Sequence, residues 1–273
     1  MKKTRNWILP ILLIVIGASC SESKNQPLPE GHEQEEPQEA SGTPQHVLES
    51  FELVWQDEFD GTELDLDKWN YRADGTLRTY ASVSRQTISL DGKGNLVIQV
   101  TKDAEGNYFV GQAGTEGLYQ TRYGYFECRA RMNKQMGPHV AFWLQSPTMG
   151  VETDNPRENG AEVDIFEYHR KTPHSVHHNI HWNGYGEAHR QVGTEIPVDS
   201  INEGFHTFGL EWTEDEYIFY INGKETWRTS EAVSHKPQYL ILSTELTGFG
   251  GAHDHNNYPD SVLFDYVRVY KRK

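Results

Sequence analysis

The sequence has few cysteines and a shortage of positive charge. Only two of its 273 residues are cysteine, Cys20 and Cys128, too few for a framework of disulfides. Lys and Arg number 25 against 40 Asp and Glu, which gives a formal net charge of -15. Binding to nucleic-acid phosphates requires clustered basic side chains, and the sequence shows no such cluster. The composition therefore argues against a nucleic-acid partner and favours an uncharged ligand.

The sequence also lacks a long segment with the 3.6-residue apolar period of a packed helix. Short β-rich runs recur instead, for example at 95–100 and 217–221, and Gly-containing turn signals separate them. Asn222-Gly223 between two such runs predicts a β-hairpin. Many short strands with regular turns indicate a sandwich or barrel. No second linker or internal repeat interrupts residues 49–273, so we expect one domain there.

The N-terminal sequence is typical of a targeting signal rather than of part of the folded domain. Residues 1–19 combine a basic start, an apolar run too short to span a bilayer, and small residues directly before Cys20. This pattern resembles a bacterial lipobox, although Gly17 stands where a Leu-like residue is usual; an ordinary secretory signal is the alternative. Residues 20–48 are rich in Glu and Pro and lack aromatics, which predicts a disordered linker. We expect a lipid anchor on Cys20 in the cell envelope, on the outer membrane, and no other membrane contact.

Three carboxylates stand close together in the segment 160–168. In a regular strand Glu162 and Asp164 share one face and Glu167 points to the other. One bulge after Asp164 would return Glu167 to the same face. Like charges on one face raise at least one pKa, which is the condition under which one carboxyl serves as nucleophile and another as acid. A solvated acidic face or a calcium site remains the alternative for the triplet alone.

Further segments complete a pattern that resembles glycoside hydrolase family 16, the laminarinases, lichenases and agarases. The matching segments follow the family's order over nearly the whole of 49–273. They are 53–61 with 68–70, 123–131, 141–144, the carboxylate segment, 205–213 and 264–270. The resemblance implies an all-β jelly-roll sandwich of the concanavalin A type, with two antiparallel sheets and a concave substrate cleft.

The resemblance also implies the chemistry. The triplet fits the family's E-x-D-x-x-E form, in which Glu162 is the nucleophile, Glu167 the general acid/base, and Asp164 tunes their charges. The expected reaction is hydrolysis of internal β-linkages of a polysaccharide with retention of configuration, without a catalytic cofactor. A β-1,3- or β-1,3-1,4-glucan is the expected substrate, and we expect a monomer.

Several residues match positions at which the family binds sugar. Glu127 and Arg129 match cleft positions of lichenases, with a mutual ion pair as the alternative. Trp143 matches a tryptophan on the cleft floor, with core packing as the alternative. His177 and His181 alternate onto one strand face and match cleft histidines of laminarinases. Together with neighbouring histidines they also suggest a zinc cluster, which the strand-like spacing disfavours.

The sequence departs from the laminarinase pattern at two positions. His139-Val140 replaces the usual Trp-Pro before 141–144, and Glu245 adds a fourth carboxylate near the predicted cleft. We therefore expect His139 and Glu245 to contact substrate, and an endo-galactanase is the alternative enzyme. Transglycosylation uses the same residues, whereas a carbohydrate-binding module has no need for the intact carboxylates.

One residue matches a metal ligand of the family. Asp265 corresponds to an aspartate that binds a structural calcium on the convex side, where backbone carbonyls would complete the oxygen ligands. The resemblance thus implies a structural Ca2+ at Asp265. A plain surface aspartate is the alternative.

Overall fold

The computed structural model describes residues 42–273, and the predicted signal peptide and Cys20 lie outside this range. No helix in the described range is long and apolar enough to cross a membrane. Cys128 is a free, buried thiol.

Strands dominate the described chain, and the helices are single short turns. In chain order the elements are α1 (Gln45–Ser50), β1 (Phe51–Asp57), β2 (Asn70–Tyr71), β3 (Leu77–Arg78), β4 (Ala81–Val83), a 3-10 turn (Arg85–Thr87), β5 (Ile88–Leu90), β6 (Leu96–Lys102), β7 (Tyr108–Val110), β8 (Gln112–Gly114), β9 (Gly124–Arg131), β10 (Gly137–Gln145), α2 (Pro156–Asn159), β11 (Glu162–His169), β12 (Ser175–Trp182), β13 (Arg190–Pro197), β14 (His206–Trp212), β15 (Tyr217–Ile221), β16 (Lys224–Thr229), β17 (Tyr239–Gly250) and β18 (Asp260–Arg272).

These strands form two sheets, as the sequence predicts. The seven-stranded sheet has the order β13-β12-β11-β10-β17-β8-β2. The eleven-stranded sheet has the path β16-β15-β14-β9-β18-β6-β7-β4-β3, with β1 beside β18 and β5 beside β6. All pairs are antiparallel except β4 and β7, which run parallel. The jelly-roll sandwich expected from the sequence is confirmed.

The core lies between the two sheets. It is built from inward-facing aliphatic and aromatic side chains of both, and Phe166 of β11 meets Phe208 of β14 with ring centroids 4.1 Å apart. Because side chains alternate across a strand, the opposite face of the seven-stranded sheet is left free for polar residues.

The predicted hairpin is present. β15 and β16 pair across Asn222 and Gly223, which have φ angles of 50° and 73°. Asn and Gly tolerate positive φ better than other residues, so the Asn-Gly signal fixes both the turn and the register of these strands.

The predicted domain boundary at 49 is too late. Val47 is fully buried and packs with Phe51 and Tyr125, and the Thr43 hydroxyl donates a hydrogen bond to Glu127 at 2.7 Å. Residues 42–48 therefore belong to the compact unit rather than to the linker. The Glu- and Pro-rich sequence that precedes them concealed the Val47 and Thr43 side chains, which attach them to the domain.

Candidate active site

A bulge in β11 places the three carboxylates on one face. The pairing of β11 with β10 and with β12 shifts register between Asp164 and Glu167. Ile165 and Phe166 both enter the core, which gives the strand one extra inward residue. Glu162, Asp164 and Glu167 consequently all face away from the core, as the sequence predicts.

The carboxylates lie at the bottom of a cleft on the seven-stranded sheet. All three are at least nine-tenths buried. The cleft is lined by charged, aromatic and small side chains from four strands and one loop. They are Arg78, His139, Ala141, Trp143, Glu162, Asp164, Glu167, Tyr185, Ser243 and Glu245.

Two donors hold one oxygen of Glu162. Gln145 Nε2 donates to Oε2 at 2.9 Å, and the Tyr185 hydroxyl donates to the same oxygen. Gln145 is itself fixed by the Tyr239 hydroxyl, which donates to its Oε1 at 2.6 Å. No described residue donates to Oε1 of Glu162, so that oxygen is free to react.

Glu162 and Asp164 share an environment that disfavours two charges. Burial and the charge of Asp164 raise the pKa of Glu162 to about 8. Burial and the charge of Glu167 raise the pKa of Asp164 well above its usual range. Asp164 Oδ2 also lies 3.3 Å from His181 Nε2. Both carboxyl groups therefore have a raised proton affinity, while the two donors at Oε2 of Glu162 stabilise the ionised form in which it reacts.

Glu167 has the opposite environment. His139 Nε2 lies 2.7 Å from its Oε1, and Asn179 Nδ2 donates to its Oε2. Burial alone would raise the pKa of Glu167, but these two partners lower it to about 2. The cleft therefore sets neighbouring carboxyl groups at very different proton affinities.

Two arginines lie beside the residues of the cleft. Arg78 Nη2 lies 3.2 Å from Glu245 Oε1, which also accepts from Gln112 Nε2 at 2.6 Å. Arg72 places its guanidinium 5.0 Å from the ring centroid of Trp143. Glu245 and Trp143 thus lie in the cleft, but one face of Trp143 is already covered by Arg72.

The two predicted cleft histidines have different positions. His181 contacts Asp164, and its Nδ1 lies 3.0 Å from His189 Nε2. His177 lies on the same strand face, but its Nε2 lies 3.1 Å from Thr172 Oγ1 and its ring packs against His169. His181 is therefore at the reacting centre, and His177 is beside it.

The prediction that Glu127 and Arg129 line the cleft is wrong. Both lie on β9, in the eleven-stranded sheet, on the far side of the core. Glu127 is fully buried and also accepts from the hydroxyls of Tyr125 and Tyr266 at 2.8 and 2.9 Å. Alternation predicted that these residues share a face, but alternation does not identify the sheet to which a strand belongs.

Asp265, the predicted calcium ligand, is paired with an arginine. Its Oδ2 accepts from Arg129 Nη1 at 2.7 Å, and the structural Ca2+ at this residue stays a prediction. Among the described residues one group of candidate metal-binding side chains has suitable spacing, Glu162, Asp164 and His181, with donor atoms within 4.8 Å of one another. The hydrogen bonds and ion pair described above account for that group.

Several residues of the site give no signal in the sequence. Tyr185 lies in the loop after β12, Gln145 at the end of β10, and Arg72 and Arg78 in a region of short strands. Only the folded sheet brings them to the carboxylates. Asn179 could have been found, because it alternates with His177 and His181 on β12.

The sequence profile of the family described as "Glycosyl hydrolases family 16" matches residues 77–268. The match includes the carboxylate strand and most of both sheets.

Individual relatives agree with this match. The chain is 26% identical over 91% of its length to "Glucan endo-1,3-beta-glucosidase A1" of Niallia circulans, of which it spans 42%. It is 29% identical over 81% of its length to a "Beta-glucanase" of Rhodothermus marinus, spanning 85% of that protein. It is 25% identical over 99% of its length to "Keratan-sulfate endo-1,4-beta-galactosidase" of Sphingobacterium multivorum, spanning 68%. A solved structure of laminarinase from Flavobacterium sp. UMI-01 superimposes with a TM-score of 0.70 at 26% identity, covering 81% of this chain and 100% of that one.

Proposed function

The chain belongs to glycosyl hydrolases family 16 and so hydrolyses O-glycosyl bonds; from this premise we propose that it is a retaining endo-glycosidase of β-1,3- or mixed β-1,3-1,4-glucans. The bulge in β11 carries the chemistry, because it brings three buried carboxylates to one face of an open cleft. The glucan is supported by the names of the relatives, among which glucanases recur.

In the first step Glu162 attacks the anomeric carbon through its free Oε1. Gln145 and Tyr185 hold Oε2, which favours the ionised form of the carboxylate and orients it. The bond to the leaving oxygen breaks as Glu167 supplies a proton to that oxygen. The product is a glycosyl ester on Glu162.

In the second step water reverses this process. Glu167 accepts a proton from the water molecule, whose oxygen bonds to the anomeric carbon as the ester to Glu162 breaks. Two displacements on the same carbon restore the original configuration. Asp164, protonated between the two glutamates, limits their repulsion during both steps.

A galactan is the second candidate substrate. The keratan-sulfate endo-galactosidase matches almost the whole chain. His139 and Glu245 also line the cleft where the laminarinase pattern has other residues. An axial hydroxyl needs a hydrogen-bond partner that a glucan does not require, and these two side chains can supply it.

The lipid anchor at Cys20, the envelope location and the monomeric state complete the proposal. Cys20 lies outside the described residues, and the polar linker composition before residue 42 supports a tether.

The test is a panel of polysaccharides incubated with the full chain. Laminarin, lichenan, agarose and desulfated keratan are each assayed for new reducing ends. We expect oligosaccharide products from laminarin or lichenan, and Glu162→Gln should lower kcat by about 10^4-fold or more because it removes the nucleophile.

Glu231→Gln, a change at an exposed residue outside the cleft lining, is the matched control. Cleavage of a galactan alone would replace the glucan by the second candidate. No cleavage of any of the four polysaccharides, or a fully active Glu162→Gln, would contradict the proposal.

A further inference from the structure

The position of His139 bears on the origin of the catalytic proton. We infer that His139 and Glu167 form a dyad that shares a single proton, with His139 as the positioning residue that stores this proton in the resting enzyme. This inference rests on the proposed role of Glu167 as general acid. It extends the sequence prediction, in which His139 only binds substrate.

The dyad is defined by geometry. His139 lies on β10, two residues from Ala141, which pairs with Glu167 across the strands. Its Nε2 lies 2.7 Å from Glu167 Oε1, and the two side chains are only 14% and 11% exposed. Water therefore cannot compete strongly for either partner, and a proton on His139 Nε2 lies within transfer distance of Glu167 Oε1.

The surroundings of His139 favour an imidazolium. Glu167 and Asp164 face it from β11, and Glu245 lies directly across from it on β17. His169 is nearby, with ring centroids 6.4 Å apart, and burial lowers the pKa of His169 to about 4, so it adds no charge. Phe249 packs its ring edge against His139 at 5.0 Å. Arg78 also lines the cleft, and its guanidinium is paired with Glu245.

These contacts set the direction of both titrations. Burial alone would lower the pKa of His139, but Glu167, Glu245 and Asp164 raise it above its ordinary value. The same contact lowers the pKa of Glu167 to about 2. An isolated acid with that pKa would be ionised and unable to protonate a leaving oxygen. The dyad can still supply a proton to the leaving oxygen, because the pair holds one proton until the imidazolium of His139 is deprotonated.

The proton balance over the reaction is as follows. In the first step the bond from the anomeric carbon to the leaving oxygen breaks, Glu162 Oε1 forms its bond, and the leaving oxygen takes the dyad's proton through Glu167. Neutral imidazole and ionised Glu167 remain. In the second step the attacking water gives one proton back to the dyad, and its oxygen replaces the Glu162 ester. The enzyme regains its starting state.

The first experiment does not depend on any substrate. Full-length protein labelled with 15N-histidine is titrated by NMR, and the His139 signals are assigned by their loss in His139→Gln. We expect the wild-type midpoint of His139 to lie above 6.5, and to fall by about one pH unit or more in Glu167→Gln, which removes the opposing charge. A midpoint that Glu167→Gln leaves in place overturns the dyad.

The second experiment uses whichever polysaccharide the panel identifies. His139→Gln should shift the basic limb of kcat against pH to lower pH and reduce kcat near neutrality by about 10²-fold, with little change in KM. His174→Gln, an exposed histidine outside the cleft, should behave as wild type. A raised KM with an unmoved basic limb would make His139 a substrate contact and overturn the inference.

The outcomes of the two experiments are separable. Cleavage of a glucan together with an ordinary His139 titration would keep the proposed function and reject the dyad. A coupled titration without cleavage of any polysaccharide would keep the dyad and reject the proposed function. If His139→Gln does not fold, the His139 signal of the wild type is assigned by elimination, from variants of the other histidines. The titration of Glu167→Gln then still tests the dyad.

Discussion

Tyr185 has an exposed ring, but its hydroxyl contacts a buried carboxylate. The side chain is 65% exposed, yet its hydroxyl reaches Glu162 Oε2 beside Gln145 Nε2. A donor at that oxygen stabilises the carboxylate before attack and keeps the other oxygen aimed at the sugar. The exposed ring is also suited to stacking on a sugar face. The two parts of one side chain thus predict two separable effects.

We expect Tyr185→Phe to lower kcat by about 10-fold or more with little effect on KM, because a hydrogen bond to a charged group contributes about 1.5–3 kcal/mol. Tyr185→Ala should also raise KM, since it removes the ring. Initial rates over a range of polysaccharide concentrations separate the two. Tyr80→Phe, another exposed tyrosine outside the cleft lining, is the control. Equal kcat in Tyr185→Phe and wild type would show that the hydroxyl does not assist Glu162.

At the scale of elements, β11 shows how far the sequence could predict. The spacing Glu162, Asp164, Glu167 fixed both the strand and the need for a bulge, because period-two alternation leaves no other way to bring the third carboxylate to the same face. The Asn222-Gly223 hairpin was predictable for a similar local reason. Both predictions depend only on neighbouring residues.

β9 shows why the rest could not be predicted. Its alternation placed Glu127 and Arg129 on one face correctly, but whether that face meets the cleft depends on which strands pair with β9. Those partners, β14 and β18, lie far along the chain. Tyr185 and Gln145 were missed for the same reason, since the loop and strand that carry them meet only after folding.

The element α1 and the residues before it make a prediction about stability. Removing residues 1–48 deletes the Thr43 donor to buried Glu127 and the Val47 side chain. Burial of a valine contributes about 1.5–3 kcal/mol, and a hydrogen bond to a charged group a similar amount. We expect Tm to fall by roughly 6–24 °C relative to a chain lacking only residues 1–41, since 1 kcal/mol corresponds to about 2–4 °C at this size.

Thermal unfolding of the two truncated chains, followed by circular dichroism, measures this difference. Thr43→Val in the longer chain is the matched point variant, because it keeps the shape and removes only the hydroxyl. Equal Tm values for the two truncated chains would mean that residues 42–48 contribute nothing to stability.

For the whole molecule, the cleft carboxylates couple the chemistry to stability. The pKa of Glu162 is about 8 in the folded protein, above the ordinary value of 4.5 that applies when the chain is unfolded. Between these values the folded protein binds more protons than the unfolded chain, so stability falls as pH rises from about 4.5 to 8. Asp164 acts in the same direction because its pKa is also raised. The buried carboxyl groups of the active site therefore lower the stability of the protein, most of all in alkaline solution, where they must ionise.

Glu162→Gln removes one of these charges and should make the inactive protein more stable than the wild type at pH 8–9. The gain should be at least about 1 kcal/mol, roughly 2–4 °C in Tm, and should shrink towards zero as the pH falls below about 4.5, where Glu162 becomes protonated in both states. Thermal melts of both proteins at half-unit pH steps measure the gap, with the exposed change Glu231→Gln as control. A gap of the same size at every pH would point to packing by the amide. If the difference in Tm appears only as pH rises, its cause is the negative charge of Glu162, which the nucleophile must carry when it attacks. The same carboxylate would then limit alkaline stability and perform the reaction.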